Sequence, residues 1–356
     1  MRCFAAGTAE ADALLQTLRD RSRVPAPEVE SAVRRILEEV RRRGDDALLE
    51  YTRRFDGLCL EAERLRVSAD EIERAARSLA PPATEALALA AERITLFHRR
   101  QHRESWFYEE QGVGLLGQLV RPLDRVGLYI PGGSAAYPSS VLMNAIPARV
   151  AGVASLAICT PAGKDGSVPA AVLAAAALVD VREIYRVGGA QAVAALAYGT
   201  ESIAPVDKIV GPGNIYVATA KRLLYGVVGV DMLAGPSEVL ILADETAEPA
   251  WIAADLLAQA EHDALAAALC VTPSEKLADG VRAEVGRQLA ALPRAGVAAQ
   301  ALERYGAILL VEDLAAGVAL ANAIAPEHLE LLVADPWAAV PAVRNAGALF
   351  LGRSTP

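Results

Sequence analysis

Lys208-Ile-Val-Gly-Pro-Gly-Asn-Ile-Tyr-Val-Ala-Thr-Ala-Lys221 reads as a short apolar strand, a glycine turn and a helix. The same grammar recurs from residue 125 onward. Candidate strands are Val126–Ile130, Leu156–Cys159, Ile184–Val187, Lys208–Val210, Val239–Ala243, Ala266–Val271, Ile308–Val311, Leu329–Val333 and Leu349–Leu351, with alanine-rich helical stretches between most of them. Strands alternating with helices predict parallel sheets with helices on both faces, an α/β fold. Turn chemistry concentrates at Pro131-Gly132-Gly133, Gly188-Gly189, Gly211-Pro212-Gly213-Asn214 and Gly235-Pro236-Ser237. In open α/β sheets ligands bind beyond the carboxyl ends of strands, so these loops are where chemistry is expected.

Upstream, the pattern is helical. Val29, Val33, Ile36, Leu37 and Val40 recur at helical spacing up to Gly44, and Ala47, Leu48, Tyr51 and Phe55 continue it to Gly57. Ser68 and Glu71 form a capping box for a third helix. Pro81-Pro82 opens a longer helix that reaches about Arg100.

Composition bounds the function. The 356 residues suggest two domains, and 53% hydrophobic with 22% charged residues is globular. A net charge of −9 argues against nucleic acid as partner. No apolar run approaches the ~18 residues of a membrane span. Cys3, Cys59, Cys159 and Cys270 stand far apart, which suits reduced thiols in a cytoplasm. Cys159 and Cys270 end runs that read as buried strands, which speaks against a thiol-dependent aldehyde dehydrogenase.

Gly112-Val-Gly-Leu-Leu-Gly117 matches the dinucleotide fingerprint, but Gln118-Leu-Val-Arg-Pro122 follows where a helix is required. A turn or hairpin is the better reading. Four histidines remain for imidazole chemistry. His98 and His102 are spaced i, i+4 among Arg99, Arg100 and Arg103, a cationic helix end that suits solvent better than a metal. Gln259 and His262 are spaced i, i+3; they read either as two donors of a metal site or as a polar helix end. Glu327 and His328 stand side by side between a helix and a strand. They read either as an acid-base pair in a loop or as a helix-start Pro-Glu pair with an incidental histidine.

Five segments together resemble the histidinol dehydrogenase family. They are Arg125–Ser140, Val210–Lys221, Asp231–Glu238, Gln259-Ala-Glu-His262-Asp263 and Pro326-Glu327-His328-Leu329-Glu330, and the likeness runs from about residue 25 to the end. The resemblance implies two incomplete Rossmann-like domains: residues 26–128 with 237–356, carrying the zinc and catalytic residues, and residues 129–236, binding NAD. Residues 1–25 are expected to be a helical extension. It further implies that Tyr129, Gln191 and Asn214 contact NAD, and that Gln259 and His262 bind Zn2+. Ser237, Gln259, His262 and His328 would meet the substrate, and Glu327 and His328 would act as acid and base.

The implied reaction is oxidation of L-histidinol to L-histidine with two NAD, in a cytoplasmic homodimer. Two further zinc ligands and a substrate-contacting glutamate of the family fall beyond Pro356. The expectation is therefore a C-terminally truncated copy that holds zinc weakly. Ala264 is a smaller departure, since relatives often carry proline there. Two other functions stay open: a family relative oxidising another polar alcohol such as a sulfonated diol, and a catalytically silent NAD-binding remnant.

Overall fold

The computed structural model describes residues 1–21, 27–132, 136–232 and 235–355. Gly133–Ala135 of the first glycine loop and Leu233–Ala234 of the Asp231–Glu238 segment therefore lie outside the described residues. The chain divides into two compact units, Met1–Val24 with Gly235–Pro356, and Pro25–Ala234.

The unit Pro25–Ala234 is built on a five-stranded parallel sheet. Its strands lie in the order Glu183–Tyr185, Ser155–Cys159, Arg125–Tyr129, Lys208–Val210, Gly229–Val230. Numbered along the unit, this is 3-2-1-4-5, the doubly wound order of a Rossmann-like half. The strands are buried on both faces, as parallel strands between helices must be. Their runs of Val, Ile and Leu follow from that. Helix Pro27–Arg43 buries Val33, Ile36, Leu37 and Val40 against helices Gly189–Tyr198 and Ile215–Leu223. Each such side chain contributes roughly 1.5–3 kcal/mol on burial.

Residues 27–128 thus pack within this unit, whereas the sequence reading joined them to residues 237–356. The reason is specific. The Val67 N–H donates to Ile184 O and the Arg186 N–H to Leu65 O. The buried Arg186 guanidinium also holds the carbonyls of Arg64, Arg66 and Gly166. Ser68 caps helix Ala69–Ser78 in the expected box with Glu71, and Arg186 pairs with that same Glu71.

The fingerprint-like glycines fall in an antiparallel hairpin, Trp106–Glu110 with Gly114–Gln118, every residue of which is exposed. No helix follows it, so the motif is not a nucleotide loop.

The unit Met1–Val24 with Gly235–Pro356 carries a six-stranded parallel sheet. Its order is Arg2–Ala5, Gly306–Leu310, Ala267–Thr272, Glu238–Ala243, His328–Leu332, Ala348–Leu351. Without the first strand this is again 3-2-1-4-5. The amino-terminal residues are therefore not a purely helical extension: Arg2–Ala5 adds an edge strand, and helix Ala9–Arg21 follows. At the carboxyl ends of the two switch-point strands, the buried Asp244 carboxylate accepts the Thr246 N–H and O–H and the Ala334 N–H.

Candidate functional site

In the unit Pro25–Ala234, a cavity of about 720 Å³ opens beyond the carboxyl ends of the switch-point strands. Tyr129, Gln191 and Asn214 all line it. That is where a doubly wound sheet binds ligands. Tyr129 ends its strand buried, and its hydroxyl accepts the Gly189 N–H at 3.1 Å. Burial pushes this phenol up to about 12, so it stays protonated and can donate. Gln191 is buried and its Oε1 has no hydrogen-bond partner. Asn214 caps helix Ile215–Leu223, its Oδ1 accepting from Tyr216 at 3.0 Å and Val217 at 3.2 Å. The cap uses its carbonyl, so what Asn214 can offer a ligand is its NH2 group.

The turn between Val210 and Asn214 demands glycine. Gly211 has φ +118, and a Cβ there would lie 2.1 Å from Tyr129 O. The buried Lys221 Nζ donates to Gly211 O at 3.0 Å and pairs with Asp231, which in turn accepts the Gly211 N–H at 2.8 Å. Three cations, Arg35, Arg54 and Lys164, and one carboxylate, Asp56, complete the polar lining. An orphaned amide oxygen, a phenol donor and a cationic rim fit a dinucleotide with its pyrophosphate.

The other expected residues lie in the second unit, at the amino edge of its sheet. His328 opens its strand opposite Val239, one residue beyond Glu238, and packs edge-on to Phe350 with centroids 5.4 Å apart. The Glu327 carboxylate accepts the Glu238 N–H at 3.2 Å, which ties it to the residue after Ser237. The backbone entering this corner is strained: Ala325 sits at φ 55, a left-handed conformation costly for a side-chain-bearing residue. The Glu-His reading as a loop-edge pair is the arrangement found, not a helix start.

Gln259 lies in the last turn of helix Pro249–Ala260, buried, with Nε2 unpartnered. His262 lies past the helix end, exposed, its N–H bonded to Gln259 O at 3.2 Å. The two are therefore not both on a regular helix, as their spacing had suggested.

Helix and strand are registered by a contact that the sequence reading missed. Asp255 hydrogen-bonds to Glu330. The helix runs antiparallel to the strands it connects. Four residues along the helix and two back along the strand are each about 6 Å. Gln259 and His328 are thus displaced equally, in one direction, from the Asp255–Glu330 contact. The amide and the Glu-His corner share the amino edge of one sheet.

The remaining candidates behave as solvated or inert groups. His98 is half-buried at a helix end and His102 exposed beyond it, and His98 Nδ1 meets Gln101 Oε1 at 2.7 Å. Cys159 and Cys270 are buried in strands; burial raises both thiols, that of Cys270 to about 12. Neither suits a nucleophile.

Residues 19–356 match the family model described as Histidinol dehydrogenase. The chain belongs to the histidinol dehydrogenase family. It is 54% identical over 349 residues to the histidinol dehydrogenase of a Synechococcus species, covering 98% of this chain and 80% of that protein. It is 57% identical over 330 residues to that of Rhizobium meliloti, covering 92% and 76%. The crystal structure of histidinol dehydrogenase from Elizabethkingia anophelis superposes with a TM-score of 0.92 at 36% identity, over 100% of this chain and 81% of that one. Family membership makes this chain an oxidoreductase of the NAD-linked kind, and the α/β architecture expected from the histidinol dehydrogenase motifs is the one found.

Zinc, which the resemblance also implies, is a different matter. Among the described residues no group of three or more His, Cys, Asp or Glu could hold a metal ion. Gln259 and His262 would supply half of a four-coordinate set. The described residues do not build a metal site by themselves.

Proposed function

We propose that the chain oxidises L-histidinol through histidinal to L-histidine, the last step of histidine biosynthesis, reducing two NAD. The observation that carries this reading is the bond from the Glu238 N–H to the Glu327 carboxylate, which sets the Glu327-His328 corner against the loop holding Ser237. His328, as general base, takes the hydroxyl proton as hydride departs from the carbinol carbon. Glu327 has one oxygen tied to backbone, and the other takes a proton from the water that hydrates the aldehyde. As water adds, His328 returns its proton to the aldehyde oxygen, giving the hydrate; thus freed, it accepts a proton again as the hydrate is oxidised to the acid. Ser237 and the Gln259 amide offer hydrogen bonds that orient the amino alcohol. NAD, when bound, supplies the hydride acceptor for both oxidations, and Tyr129, Gln191 and Asn214 are the residues that would hold it.

A cytoplasmic homodimer belongs to this proposal. Leu89, Leu96 and Phe97 on helix Pro81–Arg99, and Trp106, Phe107, Leu115 and Leu116 on the hairpin, leave large apolar side chains exposed. Exposed apolar side chains of this kind support burial against a second copy. No helix among the described residues is long and apolar enough to cross a membrane.

The test is turnover of purified chain with L-histidinol and NAD, with a sulfonated diol in parallel. Two NADH per L-histidine formed is the expected result. Binding of NAD without NADH from L-histidinol would overturn it in favour of a silent remnant, and preference for the diol would reassign the substrate.

A further inference from the structure

Asp56 is the one carboxylate among the residues lining the 720 Å³ cavity. It is the last residue of helix Asp45–Asp56, before Gly57 at φ 68. Its position at a helix end and its burial both oppose a negative charge. The carboxyl end of a helix is the negative pole of its dipole. Oδ2 is buried with no hydrogen-bond partner. Burial raises the carboxyl above its ordinary range. An unsatisfied buried acceptor costs stability, on the order of 1–3 kcal/mol. A fold keeps such a group where a ligand completes it.

The cavity's other polar groups show what the ligand lacks. Arg35, Arg54 and Lys164 supply cations suited to phosphates, while Tyr129 and Asn214 are donors. Besides Asp56, the one unpartnered buried side-chain acceptor in this lining is the neutral Gln191 Oε1, so Asp56 alone among the lining side chains offers a charged acceptor to hydroxyls. A dinucleotide carries two vicinal hydroxyl pairs, one on each ribose, and a carboxylate takes both protons of such a pair.

We propose that Asp56 is the cofactor-specificity residue of this chain, accepting hydrogen bonds from a ribose hydroxyl pair of the dinucleotide. This rests on the reading that NAD occupies the cavity. If the ribose is that of adenosine, the same charge excludes a 2′-phosphate and discriminates against NADP.

Calorimetric titration of the full chain with NAD and with NADP tests the idea, using Asp56→Asn, Asp56→Ala, Gln191→Ala and Asn214→Ala. Both Asp56 variants should bind NAD more weakly, Asp56→Ala by about ten- to hundredfold. Without ligand their Tm should be unchanged or higher, because a buried charge with an unpartnered oxygen has been removed; a structural role would lower it. A gain in relative NADP affinity places the adenosine ribose at Asp56. An equal loss for both dinucleotides places the nicotinamide ribose there.

Unchanged NAD affinity in both Asp56 variants, with Gln191→Ala or Asn214→Ala weakened, would overturn the Asp56 assignment and leave the cavity reading standing. A lowered Tm in Asp56→Asn would overturn it too. Failure of the unaltered chain to bind NAD, or indifference of the Gln191 and Asn214 variants, would overturn the cavity reading and Asp56's role with it.

Discussion

Asp255 and Glu330 meet carboxyl to carboxyl between helix Pro249–Ala260 and the strand that begins at His328. Burial, then the neighbouring Asp255, pushes Glu330 up to about 7 from an ordinary 4.5. The folded chain therefore keeps a proton that the unfolded chain releases. Stability from this pair is complete below pH 4.5 and is lost as pH rises through about 7. The loss should amount to about 2 kcal/mol after allowance for solvent screening. Tm measured from pH 4.5 to 8 should show it, and Glu330→Gln should flatten that part of the curve. An unchanged pH slope in the variant would remove the shared proton from consideration.

Lys221 and Asp231 clamp both sides of the Gly211 peptide group. Lys221→Met leaves Asp231 without its cation and Gly211 O without its donor. Breaking a buried pair in this way should cost about 3 kcal/mol, measurable by urea denaturation. The same variant should raise the KM for NAD more than it lowers kcat, because the loop presenting Asn214 loses its anchor. An NAD KM equal to that of the unaltered chain would contradict the clamp's role.

His328 and Glu327 are assigned different protons, so their variants should differ. His328→Asn should lower kcat for L-histidinol about 10²- to 10⁴-fold. Glu327→Gln should impair oxidation of histidinal more than release of the first NADH. Single-turnover kinetics from L-histidinol separates the two, and equal effects on both steps would sink the division of labour.

Leu115 is 71% exposed in the second strand of the hairpin. An isolated two-stranded ribbon is marginal in water. Leu115→Asp should shift sedimentation from dimer to monomer without changing the helical signal. A monomeric parent chain would defeat the interface assignment.

Long-range order was legible where local chemistry was loud. Ser68 and Glu71 announced their helix start, Pro81-Pro82 the next one, and the glycine turns marked strands whose ends fall within a few residues of those observed. Arg2–Ala5 gave no such signal, since four residues pair at an edge only once the far strand Gly306–Leu310 exists. The grouping of residues 27–128 depended on Arg186, an unremarkable arginine in sequence and a four-way clamp in space. Tyr129, Gln191 and Asn214 were reached through resemblance, and the structure gathers them round one cavity. Asp56, Asp255 and Glu330 were invisible. Their meaning lies in burial and in partners that no spacing rule encodes, although an acid closing a helix before glycine is an oddity that could have drawn the eye.

Three donors converge on Asp244 at the carboxyl edge of the six-stranded sheet, where a cavity of only about 180 Å³ remains. Among the described residues, the polar groups proposed to hold a dinucleotide gather round the cavity of the five-stranded sheet, and loading should saturate at one dinucleotide per chain. A four-electron oxidation run from one seat must exchange its carrier halfway. The half-oxidised aldehyde has to be retained while the first reduced nucleotide leaves and a fresh one arrives.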